Sequence, residues 1–472
     1  MSNELFRLTA TEAVARLRRR EISPLDLIDA AAARIEAVDG KVNALPIRFF
    51  EIARANARKF MGRKPPADPP PGWLAGLPLV AKDYNDVGGQ PTTFGSPIFA
   101  KSIAPANDYT VDTLEASGGI FMAKSNVPEF AGSNTFNPVF GATRNPWNLK
   151  MTAGGSSGGA AAGLASGTQW LAMGSDLGGS LRIPASYCSI VGLRPSPGRV
   201  PRGAGLPPFD SLWVEGPMAR NVPDLALMLD ALSVQHPRDP LSMPAPRSSF
   251  ASKVREPRPP RRVAFSANLG LSNVDPEIAG ICRAAAWRFE DFGTVVEERA
   301  PDFSNSIDTF QAQRGLLFAA LRGELLAKER ARICDSIIWN IQKGLDLTNE
   351  EIIRAERERN ALYHRTAAFF GDFDLLLCPV VAVPPYPVEQ PYPTRIGDQH
   401  LTSYIDWMFL TFVITLTGCP ALSLPCGFTR DGLPVGLQIV GPTHGDAAVL
   451  AAGALLEQAF GIAGRLPIDP AG

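Results

Sequence analysis

Residues 154–182, GGSSGGAAAGLASGTQWLAMGSDLGGSLR, constrain this chain more than any other stretch. Glycine clusters stand at both ends, Gly154-Gly155-Ser156-Ser157-Gly158-Gly159 and Gly178-Gly179-Ser180. The apolar residues between them read as a short, tightly packed helix followed by a buried strand at 170–173. Glycine loses more conformational freedom on folding than any other residue, so two clusters beside apolar segments need a backbone reason. The reasons available are positive φ, close approach of the backbone to a ligand, or N–H groups presented to an anion. Each cluster also holds serine, so two hydroxyls can be brought side by side.

The rest of the chain alternates helices and strands. Apolar residues at helical spacing (Ala10, Ala13, Val14, Leu17) mark a helix at 9–22. Ser23-Pro24 with Asp26 restarts a second helix, carrying Leu25, Ile28, Ala32 and Ile35 on one face. A strand at 43–47 and a helix at 49–61 complete an N-terminal, largely helical region at about 1–61. Strands are expected at 76–83, 118–123, 262–266 and 374–381. A hairpin joins 421–426 to 435–440 through Arg430-Asp431-Gly432. Helices are expected at 222–232 and 275–292, over a long region at 305–370, and from a cap at Asp446 to about 460. The pattern is that of an α/β protein with one domain over 1–472. The proline- and arginine-rich segment at about 236–262 is the candidate subdomain junction.

Composition excludes several functions. Hydrophobic residues make up 45% of the 472, enough for a large core. A net charge of −1 without blocks of like charge argues against nucleic acid as a partner. The start, MSNELFRLTATEAV, lacks the pattern of a signal peptide. No uncharged apolar run reaches the roughly 18 residues a membrane span needs, and 408–416 reads as core. None of the six cysteines forms CxxC, and the four histidines lack metal-ligand spacing. Buried thiols in a reducing cytoplasm and no zinc site are the expectation.

Ser180 follows Leu177, Gly178 and Gly179, where backbone N–H groups can point at one spot with few side chains in the way. That is the making of an oxyanion hole, and a serine there can attack a carbonyl if a base takes its proton. Histidine is the usual base, but none of the four lies near a glycine cluster. A lysine can replace it only if desolvation or nearby positive charge depresses its pKa. Lys82, at the end of the apolar run Leu79-Val80-Ala81, is of that type, although a strand-end lysine is most often a solvated cap. A nucleotide site is poorly supported, since neither GxxxxGK[ST] nor GxGxxG is present.

These residues, with PLVAKD, AKSNVPEF, GATRNPWN, GSDLGGSLRIPA, GLRPSPGRVP and the closing GCPALSLPCGF and GLPVGLQIVGP, resemble the amidase signature family over nearly the whole chain. The resemblance implies a large mixed, mostly twisted β-sheet covered by helices on both faces. It implies a triad of Ser180 as nucleophile, Ser156 as bridging serine after a cis peptide bond, and Lys82 as base. The 24 positions between Ser156 and Ser180 fit the family's spacing; Ser157 would not. The N–H groups of Leu177, Gly178, Gly179 and Ser180 would form the oxyanion hole. Ser157, Asp176 and Arg182 would support the site, and Lys124 would be structural. Ser133, Asn134, Thr135 and Phe136 would face the substrate, and the stretches 310–321 and 404–411 with Trp339 would line an acyl channel.

No metal and no cofactor is implied. The implied reaction is hydrolysis of a linear carboxylic amide, extending to aryl amides, carbamates or esters, by a cytoplasmic enzyme. The expected partner is a small-molecule amide, with no nucleic acid and no membrane, and a homodimer is one assembly open to it. The same family includes the ammonia-supplying component (GatA type) of the tRNA-dependent amidotransferase, which feeds a partner. That component usually reads RQPA after the nucleophile, and Ile183 in LRIPA points away from it.

Overall fold

The computed structural model describes residues 2–203 and 205–471. A 3₁₀ helix at Ser2–Arg7 and two capped helices open it. In α1 (Ala10–Arg18) Thr9 and Glu12 close a capping box, and in α2 (Pro24–Val42) Ser23 and Asp26 close another with Pro24 at the first helical position. Each box satisfies N–H groups that a helix start leaves unpaired. α3 (Phe50–Met61) follows. The glycine–serine stretch supplies two short helices, α4 (Gly158–Ala165) and α5 (Arg182–Cys188).

One sheet organises the described residues. Its strands are β1 (Ile47–Arg48), β2 (Pro78–Lys82), β3 (Ile120–Ser125), β4 (Leu171–Asp176), β5 (Val191–Arg194), β6 (Val214–Ala219), β7 (Arg262–Phe265), β8 (Val295–Glu298), β9 (Leu375–Pro379), β10 (Ala421–Phe428) and β11 (Pro434–Val440). Their spatial order is β1-β3-β2-β4-β6-β5-β10-β11-β9-β7-β8. β2 runs parallel to β3 and β4, and β7 runs parallel to β8 and β9. The other pairs are antiparallel, so the sheet is mixed, as expected.

Two apolar cores lie on its two faces. Leu375 and Leu377 of β9 enter one while Leu376 and Cys378 enter the other, and Leu422 and Ala421 of β10 divide in the same way. Successive side chains of a strand point to opposite faces, so a strand apolar throughout needs cover on both. α2, α6 (Val222–Leu232), α7 (Pro276–Trp287) and α12 (Asp446–Phe460) feed the first core. α8 (Ser306–Glu329), α9 (Asp335–Leu345), α10 (Asn349–Asp372) and α11 (Phe409–Thr417) feed the second.

Two local expectations are corrected, and the long helical region is resolved into its parts. Of the expected strand at 43–47 only Ile47 is in one, as the first residue of β1. Asn43 ends α2 with φ 57°, and the Asp39 carboxylate takes the N–H groups of Ala44 and Leu45. Those side-chain bonds displace ladder pairing. The long helical region breaks into α8, α9 and α10, because a turn at Arg330–Arg332 ends the first and a Thr348–Glu351 capping box starts the third. Asp446 lies inside α12 and does not cap it. Its carboxylate accepts from the N–H and the hydroxyl of Ser196, both at 2.8 Å.

Candidate active site

Lys82 is the last residue of β2, the strand between β3 and β4. Its side chain is fully buried. Nζ donates to Ser156 Oγ at 2.7 Å, and to Ser157 Oγ and Ser175 Oγ at 2.9 Å each. Burial pushes the amine down to about 7, while the charges of Glu215 and Asp176 pull the other way. Three hydroxyl acceptors also favour the ammonium, but desolvation of a fully buried charge is the larger effect.

Lys124 provides the contrast. It is equally buried, and burial lowers its pKa too, but Asp83 Oδ1 lies 2.9 Å from its Nζ and opposes the shift. Pro91 O and Thr92 Oγ1 complete its partners at 2.7 Å. Lys124 is thus an ion-paired amine. Lys82 makes no ion pair among the described residues; it faces three hydroxyls, with the Tyr84 ring centroid 4.8 Å away.

Local backbone holds the serines. The Gly155–Ser156 peptide bond is cis. A Cβ on Gly155 would stand 2.2 Å from Ser133 O, so glycine alone fits there. At the second cluster the chain wraps around the Asp176 carboxylate. Asp176 Oδ1 accepts from Gly179 N–H at 3.1 Å and Arg182 Nη2 at 2.7 Å. Oδ2 accepts from Leu181 N–H at 3.1 Å and Arg182 Nε at 3.0 Å. Arg194 Nη1 joins at 3.2 Å. Burial alone would raise this carboxyl, but the two guanidiniums hold it well below the usual range. Gly179 takes φ 124°, and a Cβ there would lie 2.4 Å from Thr411 Oγ1.

Ser180, half-buried, emerges from this wrapped turn. It lines a narrow cavity of about 30 Å³ together with Ser133, Ser156, Ser175, Leu177 and Gly178. Ser156 and Ser180 share the cavity without a direct hydrogen bond between their hydroxyls. Gly179 N–H is committed to Asp176. Of the expected oxyanion-hole donors, the N–H groups of Leu177, Gly178 and Ser180 have no intramolecular acceptor among the described residues.

A family model described as Amidase matches residues 26–450. The chain belongs to the amidase signature family. An acylamidase of Rhodococcus erythropolis is 35% identical over 466 residues, covering 98% of this chain and 97% of the relative. The glutamyl-tRNA(Gln) amidotransferase component of the GatA type from Moorella thermoacetica is 33% identical, covering 96% and 97%. Among solved structures, a bacterial aryl acylamidase of the amidase signature family superposes with a TM-score of 0.89 at 29% identity, covering 98% and 99%.

The remaining expected residues of this amidase signature chain are placed unevenly. Of the 133–136 segment, Ser133 reaches the cavity. Asn134 is bonded to Tyr386 and to Pro391 O. Thr135 is buried and accepts from Gly158 N–H at 3.0 Å, and Phe136 is 61% exposed. Phe310, Arg314, Ile405 and Met408 from the expected lining stretches reach the cavity, as does Phe412 just beyond them. Trp339 is largely at the surface, against Tyr404.

Ser175 and Glu215 lie at or beside the site and are absent from the sequence expectations as functional residues, whereas Arg314 falls in the expected 310–321 lining stretch but brings a charge to it. Ser175 carries one signal: it is a hydroxyl in a buried strand beside the lysine's strand. Glu215 stands opposite Ser175 in the β4–β6 ladder, a pairing only sheet register discloses. Burial pushes its carboxyl up, with the Asp108 charge adding and Lys82 opposing.

Proposed function

We propose that the chain hydrolyses carboxylic amides to acid plus amine or ammonia, through an acyl-enzyme on Ser180 with Ser156 as bridge and Lys82 as base. The observation that carries this is a buried lysine without an ion-pair partner, 2.7 Å from the serine that shares a cavity with Ser180. Neutral Lys82 takes the proton of Ser156 as Ser156 takes that of Ser180. Ser180 Oγ attacks the carbonyl carbon, and the electron pair moves to the carbonyl oxygen. The 177–180 turn receives that charge, with Leu177, Gly178 and Ser180 supplying the N–H groups not committed to Asp176. The amide nitrogen leaves with a proton from Ser156, which Lys82 resupplies. Water then repeats the sequence on the acyl-enzyme and releases the acid.

Leu177, Trp213, Phe310 and Phe412 give the cavity apolar walls, which favours aryl amides, with carbamates and esters as secondary substrates. The likeness to an aryl acylamidase supports the same choice. Free cysteines, mostly buried, suit the reducing cytoplasm we assign to it.

Mass spectrometry of enzyme quenched during turnover of a slow aryl ester is expected to find the acyl group on the peptide bearing Ser180. An adduct on another residue sinks the mechanism. The pH profile follows from Lys82, which accepts a proton only when neutral. kcat/KM should rise through about pH 7 and fall about tenfold per pH unit below it, in a pH series on a chromogenic anilide. A maximum near roughly pH 5 would contradict the assignment of Lys82 as base.

The amidotransferase components among the relatives favour a second reading, in which the chain supplies ammonia to a partner. Turnover of simple anilides by the purified chain alone decides for the first; activity only after partner proteins are added decides for the second.

A further inference from the structure

Arg314 stands in the wall of the catalytic cavity without a counter-charge. It projects from α8, is 5% exposed, and lines the same narrow space as Ser156 and Ser180. Among the described residues it makes no ion pair. Its Nη1 donates to Asn340 Oδ1 and its Nη2 to the Tyr404 hydroxyl, both neutral. The Phe318 and Tyr404 rings flank the guanidinium, with centroids at 4.9 and 5.4 Å. Two of its five N–H donors are thereby engaged. Arg182 and Arg194, also fully buried, are compensated differently: both share the carboxylate of Asp176.

A guanidinium withdrawn from water carries a large desolvation cost, which neutral acceptors return only in part. The other cavity walls offer no anion: apart from four serine hydroxyls they are apolar side chains, among them Leu177, Trp213, Phe310, Met408 and Phe412, and backbone. A planar fork with unused donors, held in place by Asn340 and Tyr404 and set beside a nucleophile, matches a carboxylate in a bidentate pair.

We propose that Arg314 anchors an anion subsite, so that the substrates of this enzyme carry a carboxylate within reach of the scissile amide. The proposal rests on Ser180 acting as the nucleophile. The carboxylate takes the free N–H groups of Arg314, desolvates with it, and orients the amide carbonyl toward Ser180. An aryl or alkyl amide without the acid still enters, but leaves the guanidinium unpaired.

The test compares acids with their methyl esters in both halves of the substrate. The mono-p-nitroanilide of succinic acid places the acid on the acyl half, and acetamidobenzoic acid places it on the amine half. The wild-type enzyme is expected to favour the acid over its methyl ester by about tenfold or more in kcat/KM in one of the two pairs, the scale of a hydrogen bond to a charged group. Arg314→Met should erase that preference while the ester is still hydrolysed. If Arg314→Met fails to fold, Arg314→Lys, which keeps the charge and loses the fork, should reduce the preference. A wild-type enzyme with no preference in either pair overturns the subsite, and so does a preference unchanged in the variant. Turnover of the esters without acid preference overturns the subsite alone. No turnover of any anilide or ester overturns the proposed reaction and the subsite with it.

Discussion

Replacing Ser180 by alanine is expected to abolish turnover and leave the fold intact. The hydroxyl makes no hydrogen bond among the described residues, and the side chain is half-buried against the cavity. Its removal therefore orphans no buried partner, and the melting curve should shift by less than the equivalent of about 1 kcal/mol. The rate should fall about 10⁴-fold or more, because the acyl-enzyme can no longer form and only binding and the N–H groups of the turn remain. Initial rates on a chromogenic anilide, with circular dichroism melts beside them, make the measurement. A folded Ser180→Ala enzyme keeping more than about one per cent of the rate would sink the assignment.

Lys82 carries the second large effect, and two substitutions separate its possible roles. Lys82→Ala removes the amine that three serine hydroxyls accept from, and turnover should fall by about 10³-fold or more. That loss alone does not distinguish a base from a buried structural cation. Lys82→Arg does, because a guanidinium stays protonated under all conditions where the protein folds. A structural cation would be replaced by it, whereas a base would not. Lys82→Arg is therefore expected to be as inactive as Lys82→Ala, and recovery of activity in the arginine variant would refute the base role. Methylamine added to Lys82→Ala offers a further check, since a small amine entering the vacated space should restore part of the rate in its neutral form, and so better at higher pH.

Much of the architecture is legible in the residues. Ser23-Pro24-Asp26 announces the start of α2, and the alternating helices and strands announce a mixed sheet covered on both faces. The glycine clusters are legible as a pair because Gly155 and Gly179 stand where a Cβ would collide with Ser133 O and Thr411 Oγ1. The site is only half legible, for a physical reason. Ser180, Ser156 and Lys82 sit in motifs that family resemblance marks, but Ser175, Glu215 and Arg314 join the site through strand register and helix docking. Glu215 meets Ser175 across a ladder between strands separated by nearly forty residues of chain, and Arg314 arrives from a helix on the other side of the cavity. The 133–136 segment shows the converse. Its proximity to the signature in sequence suggests a pocket wall, yet Thr135 is spent on the N–H of Gly158 and Phe136 lies at the surface. At 43–45 local bonds to Asp39 override the strand signal, and at Asp446 a long-range pair of bonds from Ser196 overrides the cap signal.

The neighbouring residues Lys82 and Asp83 bear on how this protein tolerates insertion and deletion. They are adjacent in the chain, yet the lysine meets hydroxyls while the aspartate meets Lys124. Lys82 closes the strand and Asp83 opens the turn that follows it, so the two side chains leave the backbone in different directions. Loss of a single residue between Leu79 and Lys82 would bring Asp83 to the end of the strand and put a carboxylate against the hydroxyls of Ser156, Ser157 and Ser175. The serines would then face an acceptor with no proton-accepting amine beside it. Where Lys82 sits thus depends on the length of one five-residue strand.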